Sequence, residues 1–329
     1  MNSLASLIAH WMFCRRLVAS LAFAIASSGS LPANSGWPEF SWDTVPVYLH
    51  FGDNEGLTDE EIEFVASRSN FISLEKGHGA RTHGSTEKGI EFDAARLKRV
   101  NPNAKVLYYW NTFLDYSMFD AHAVYESRPE WWLKTKDGSL DKKNGRIRRY
   151  DLSNPKVQEW WSEEVRKAVV DGSCDGVFAD AFPQIASRAN VRLWGKEKYD
   201  SIQAGLVATL KRTREKIGAE GIVLYNGIRN TDTLNFGSQY LDYTDGATIE
   251  HFAHFHSESK ESIARDIEAM EEAGKRGKIV VMKGWPGFNF TQAEIRDVPY
   301  ETLLARAREN ITFPLACFLV AAQEHAYFC

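Results

Sequence analysis

From residue 45 to the end of the chain, short apolar runs alternate with amphipathic segments, and this alternation limits the possible folds more than any motif does. The runs are VPVYLHFGD (45–53), FISLEKGHG (71–79), AKVLYYWN (104–111), DGVFADAF (175–182), GIVLYNG (221–227), GATIEHF (246–252) and KIVVMKGWPG (278–287). Their length and their content of β-branched and aromatic residues read as buried parallel strands. Between them lie helical patterns: TDEEIEFVASRS (58–69), EKGIEFDAARLKRV (87–100), PKVQEWWSEEVRKAVV (155–170), KYDSIQAGLVATLKRTREKIG (198–218), SKESIARDIEAMEEAGKRG (259–277) and an apolar helix near 300–322. AYFC (326–329) reads as the start of an eighth strand. The expected fold is therefore α/β, a (β/α)8 TIM barrel over 45–329, truncated at its C-terminus within the eighth unit. Closure needs that last strand to pair with the first. A doubly wound sheet is the alternative. Neither G-x-G-x-x-G nor a P-loop follows the first strand, which disfavours its nucleotide-binding form.

The amino end has a different character. Arg15 and Arg16 precede the apolar run Leu17–Ala26, which closes on Ala24-Ile25-Ala26, the layout of a secretory signal peptide over 1–26. Residues 27–44 then read as a linker. Removing 1–26 takes away two arginines and no acids, so the net charge moves from −5 to −7. No basic run remains to attract nucleic acid or an anionic membrane. Cys174, Cys317 and Cys329 are widely spaced and give no disulfide framework or zinc pattern. The expected location is secreted or periplasmic, and the sequence does not fix the oligomeric state.

The segment 112–154 is too long for an ordinary connection after a strand and reads as an ordered insertion over the barrel's C-terminal face. It ends in Ser153-Asn154-Pro155, a helix-start signal.

Side chains two apart on a strand share a face. On that parity Tyr48 and His50, Ser73 and Glu75, Tyr109 and Asn111, Phe178 and Asp180, Asn226, Thr248 and Glu250, and Lys283 face the barrel lumen. Seven strands thus bring polar groups to one end. Asp180 and Glu250 are the expected catalytic pair, because cleaving a glycosidic bond takes one carboxyl to protonate the leaving oxygen and another to attack or to activate water. Glu75 is the rival acid. His50, Glu75, His78, Trp110, Asn111, Trp131, Asn226, Lys283 and Trp285 are the expected substrate-binding residues, with the tryptophans stacking on sugar rings. A metal centre is a weaker reading of the histidine cluster, with His251, His254 or His256 converging with Glu75 or Glu250, and no metal or cofactor is expected. Trp160 and Trp161 lie on a helix and read as core. Asn289 and Asn310 open glycosylation sequons.

The order PEWWLKTKDG, YDLSNPKVQEWW, CDGVFADAF resembles a pattern shared by several TIM-barrel glycoside hydrolases. It is most similar to the uncharacterised "hypothetical glycosyl hydrolase" families and more distantly to the α-galactosidase-type clan. The resemblance spans roughly residues 45–329. It implies a carbohydrate substrate, with the acid of the fourth strand as nucleophile and that of the sixth as acid/base. Asp180 and Glu250 stand at those places, although many α-galactosidase-type enzymes carry Asp at both. The expected function is a secreted glycoside hydrolase acting on a poly- or oligosaccharide. The alternatives are a non-catalytic carbohydrate-binding barrel and a metal-dependent hydrolase.

Overall fold

The computed structural model describes residues 36–229, 237–254, 257–288, 295 and 297–329. The expected signal peptide, His256 and the Asn289 sequon lie outside these residues. Eight parallel strands form one sheet in chain order: β1 Tyr48–Phe51, β2 Phe71–Leu74, β3 Lys105–Asn111, β4 Gly176–Asp180, β5 Ile222–Asn226, β6 Gly246–Phe252, β7 Ile279–Gly284 and β8 Ala326–Phe328. The last strand is short. It pairs with β7, as Tyr327 with Val281, and meets the first strand through the parallel bridge Val47–Phe328. The Phe328 N–H donates to the Pro46 carbonyl at 2.8 Å. Three residues of AYFC are therefore enough to bring the eighth strand onto the first.

The helices follow their strands. They are α1 Asp59–Arg68, α2 Thr86–Val100, α3 Pro155–Arg166, α4 Lys196–Ile217, α5 Lys260–Lys275, α6 Tyr300–Asn310 and α7 Thr312–Ala321. Local chemistry sets several starts. Thr58 and Glu61 form a capping box on α1. Asn154 caps α3 by accepting from the Lys156 N–H at 3.0 Å, and Pro155 sits where no N–H is needed. The apolar stretch near 300–322 is two helices, because α6 ends at Asn310 and α7 restarts at Thr312. No helix among the described residues is long and apolar enough to cross a membrane.

Residues 112–154 fold over the end of β3 as a short helix (Ala121–Glu126), a single turn (Pro129–Trp131) and a small antiparallel pair (Lys142–Lys143 with Ile147–Arg148). Their aromatic residues pack inward. Tyr125, Trp131 and Tyr150 gather round Trp160 of α3 with ring centroids 5.3–5.8 Å apart. Burying several such rings stabilises the insertion by a few kcal/mol per ring, on the order of 2–3 each.

Candidate active site

Parallel register places the strand ends side by side. Asn111 pairs with Asp180 and Asn226 with Thr248, so their side chains point the same way at the C-terminal mouth of the barrel. Asp180 is the last residue of β4 and takes four hydrogen bonds from neutral donors. The Tyr109 hydroxyl donates to Oδ2 at 2.6 Å and Asn111 Nδ2 to the same oxygen at 3.1 Å. Asn226 Nδ2 and the Ala181 N–H donate to Oδ1 at 2.9 and 2.7 Å.

Glu250 stands across from it on β6. Asn226 Nδ2 also donates to Glu250 Oε2, at 2.7 Å, so one amide nitrogen ties the two carboxylates together. Bonds of 2.9 and 2.7 Å to one atom keep the two bridged oxygens no more than about 5.6 Å apart, a limit that admits the ~5–5.5 Å carboxyl spacing of retaining glycosidases. Lys283 Nζ, from β7, donates to Glu250 Oε1 at 3.2 Å, and His251 Nε2 lies 3.5 Å from the same oxygen. The Arg229 guanidinium donates to the Glu250 backbone carbonyl.

The two acids are poised differently. Burial, and then the charge of Glu250, pushes the Asp180 carboxyl up, with the Tyr109 hydrogen bond pulling the other way. Burial also pushes Glu250 up, but Lys283, His251 and His50 outweigh it and hold the carboxyl at about 2. Burial pushes the His251 imidazole down to about 4, so above that pH Lys283 is the cation that matters. Glu75, at the end of β2, lies 2.8 Å from His50 Nε2 and 2.5 Å from Lys76 Nζ. Burial raises it, yet these two partners win and keep it well below the usual carboxylate range. Held ionised, Glu75 is well suited to accept hydroxyl hydrogen bonds.

Glu250 and His251 are shared by two lobes of a cleft. One, of about 550 Å³, is lined by Asp180, Asn226 and polar groups that include Gln184, Asn190, Arg149 and Arg229. The other, of about 800 Å³, has His50, Glu75, Lys76 and Lys283 at its base and Trp285, Ile311 and Phe328 on its walls. Neighbours on a strand normally point to opposite faces. Glu250 and His251 both reach the cleft because the β6–β7 register slips between Ile249 and Phe252 and His251 has φ +58°.

The structure gathers His50, Glu75, Asn111, Asn226, Lys283 and Trp285 around the two acids or on the cleft. Three expected residues lie elsewhere. His78 is fully buried, its Nδ1 accepting from the Asp53 N–H at 3.2 Å and its Nε2 2.9 Å from Asp93, so it braces the loop after β2. Trp110 is 1% exposed and faces the helices, against Phe119 and Trp160, because it alternates with the lumen-facing Tyr109 and Asn111. Trp131 is the buried ring of the insertion described above. The insertion reaches the cleft through Arg149 instead. The ring of His254 stacks on Trp285 at 3.8 Å. Among the described residues no group of three or more His, Cys, Asp or Glu side chains is placed to hold a metal ion.

Strand parity marks Tyr109, whose contact with Asp180 needed the register to be seen. The sequence marks His251 only as a member of the histidine cluster, since parity turns it outward, and Arg229 carries no sequence signal because it lies beyond its strand.

The sequence model of a family described as hypothetical glycosyl hydrolase family 15 matches residues 98–329. No curated protein matches the chain. Among solved structures, a Paenibacillus sp. cycloisomaltooligosaccharide glucanotransferase complexed with cycloisomaltoheptaose is similar, with a TM-score of 0.52 at 11% identity over 77% of this chain and 40% of that one. The maltogenic α-amylase AmyB of Thermotoga neapolitana gives a TM-score of 0.50 at 14% identity over 86% of this chain and 66% of that one. At these identities the likeness is one of fold, and the chain spans less than two thirds of either structure's length.

Proposed function

The chain belongs to hypothetical glycosyl hydrolase family 15, and from that premise we propose that it hydrolyses O-glycosidic bonds of an oligo- or polysaccharide with retention of configuration, using Asp180 as nucleophile and Glu250 as acid/base. The observation that supports this reading is the Asn226 amide donating to both carboxylates, which keeps one oxygen of each no more than about 5.6 Å apart, close enough for a double-displacement pair. In this scheme Asp180 attacks the anomeric carbon while Glu250 protonates the departing oxygen. Water, deprotonated by Glu250, then releases the sugar from Asp180. The acid must begin protonated, whereas Lys283 favours the ionised form. A sugar hydroxyl that draws Lys283 away from Glu250 returns the proton affinity the step needs. Ionised Glu75, with His50 and Lys76 fixing its oxygens, accepts hydroxyls of the bound sugar, and Trp285 offers a flat face at the cleft wall.

We further propose that the chain is exported by the segment 1–26. A panel of glycans and aryl glycosides, followed by proton NMR of the first-formed anomer, tests the reaction. Retained configuration, abolished by Asp180→Asn, is the expected result. Inverted product would overturn the retaining scheme. Sugar binding that persists while no substrate is ever cleaved would favour a non-catalytic barrel.

A further inference from the structure

The hydrogen bonds that reach Asp180 from β3 have a fixed direction, and that direction begins at the backbone. The N–H groups of Phe113 and Leu114 donate to Asn111 Oδ1 at 2.9 and 2.7 Å. This fixes which end of the amide is oxygen, so Asn111 can present only N–H to its other neighbours. Its Nδ2 donates to the Tyr109 oxygen at 3.0 Å as well as to Asp180 Oδ2. The Tyr109 oxygen is thereby an acceptor toward Asn111, and its single proton is left for Asp180 Oδ2, 2.6 Å away. Tyr109 and Asn111 are buried at 0% and 1%, so water does not compete for these positions. Trp161, from α3, donates to the Asn111 carbonyl at 2.9 Å and ties the end of β3 to the helix behind it.

We propose that Tyr109, oriented by Asn111, is a positioning residue that keeps the Asp180 carboxylate ionised and aimed into the cleft, and so decides which of the two acids acts as nucleophile. The inference rests on the two-carboxylate reading above and adds what assigns the roles within the pair. Burial and the charge of Glu250 both drive a proton toward Asp180. With Oδ2 facing two donors and Oδ1 facing two more, a proton on either oxygen would point at another N–H or O–H. The other charged or titratable groups turned toward this pair are Glu75 and Lys76 from the end of β2, with Lys76 Nζ 4.9 Å from the Tyr109 ring centroid, and Tyr116 from the insertion. Arg149, Arg229 and His251 line the same lobe as Asp180. Tyr109→Phe removes the chain's last donor and leaves these charges in place.

The test compares Tyr109→Phe with Tyr108→Phe, which makes the same chemical change one residue away on the outer face of β3. Both variants are checked for folding by thermal melting. Because Asp180 is raised while Glu250 is held at about 2, the basic limb of kcat/KM in the free enzyme follows Asp180. It should move up by about one to two pH units in Tyr109→Phe, the scale of a hydrogen bond to a charged group. It should stay in place in Tyr108→Phe. In parallel, the Asp180 carboxyl is titrated by carbon NMR of aspartate-labelled protein, a readout that needs no substrate. An Asp180 titration raised in Tyr109→Phe alone supports the inference even if no glycan is cleaved. An Asp180 titration unchanged in a folded Tyr109→Phe protein overturns it, whatever the activity.

Discussion

The two strand ends that carry the acids share a backbone device and differ in their partners. Asp180 is followed by Ala181 at φ +79° and Glu250 by His251 at φ +58°, left-handed conformations that cost a non-glycine residue on the order of 1 kcal/mol or more. β4 thus ends at its carboxylate, whereas β6 bulges at His251 and pairs with β7 again through Phe252 and Gly284. The β4 end then surrounds Asp180 with neutral donors. The β6 end sets Glu250 against the cation of Lys283. Neutral donors hold an anion in place without cancelling its charge, which suits a nucleophile. A lysine beside a carboxylate is a setting that a ligand can alter, which suits a group that must lose and regain a proton in each turnover. On the proposed scheme the difference in partners, not the shared left-handed residue, separates the two roles.

The largest expected effect tests the nucleophile. Asp180→Asn should lower kcat by about 10⁴-fold or more with every leaving group, since no covalent intermediate can form. Glu250→Gln should cost about 10²–10⁴-fold on natural linkages, the usual range for an acid/base. It should cost far less on aryl glycosides whose leaving group needs no protonation. Equal losses on both substrate types would erase the proposed asymmetry.

The third prediction concerns pH. Lys283 depresses Glu250 below Asp180, so Lys283→Met should raise the Glu250 pKa and carry the acidic limb of kcat/KM to higher pH by about one unit or more. The same sign appears in stability. A depressed acid contributes stability that is present above its unfolded value of about 4.3 and is lost as pH falls through its folded value of about 2. Melting temperatures at pH 6 and pH 3 should therefore differ less in Lys283→Met than in the parent through this group. An acidic limb that stays put would show that Lys283 does not govern Glu250.

The smallest effect comes from the turn itself. Ala181→Gly relieves the left-handed strain but gives the unfolded chain more freedom, so stability should change by no more than about 1 kcal/mol. Turnover should fall a few-fold as the Asp180 carboxyl loosens, as seen in kcat at constant Tm.

The sequence made the barrel legible because burial on both faces turns each parallel strand into a continuous apolar run, and because helices intervene at regular spacing. It also made the acids legible, since Asp180 and Glu250 end runs of otherwise apolar residues. Parity extended this to Asn111, Asn226 and Lys283. The aromatic residues were the poorest guide. Trp110 and Trp131 stand at a strand end and in an insertion, where either a sugar platform or a core ring would fit. Only the packing of α3 against the insertion distinguishes them, and Trp110→Ala should accordingly destabilise the fold by about 3–5 kcal/mol while leaving sugar binding in the folded protein unchanged. His78 misled for a related reason. A polar loop at a barrel mouth suggests a ligand, but Asp93 lies on α2, fifteen residues on, and binds the ring from within the core. His251 could be read only as one of a histidine cluster, because a bulge reverses the alternation on which parity depends.

The central claim is that Asp180, not Glu250, forms the bond to the sugar. Its most direct measurement is covalent trapping with a panel of 2-deoxy-2-fluoro glycosyl fluorides, followed by mass spectrometry of the digested protein. The account predicts a single glycosyl adduct on Asp180, formed also in Glu250→Gln and absent in Asp180→Asn. An adduct on Glu250, with Asp180 unlabelled, would contradict it.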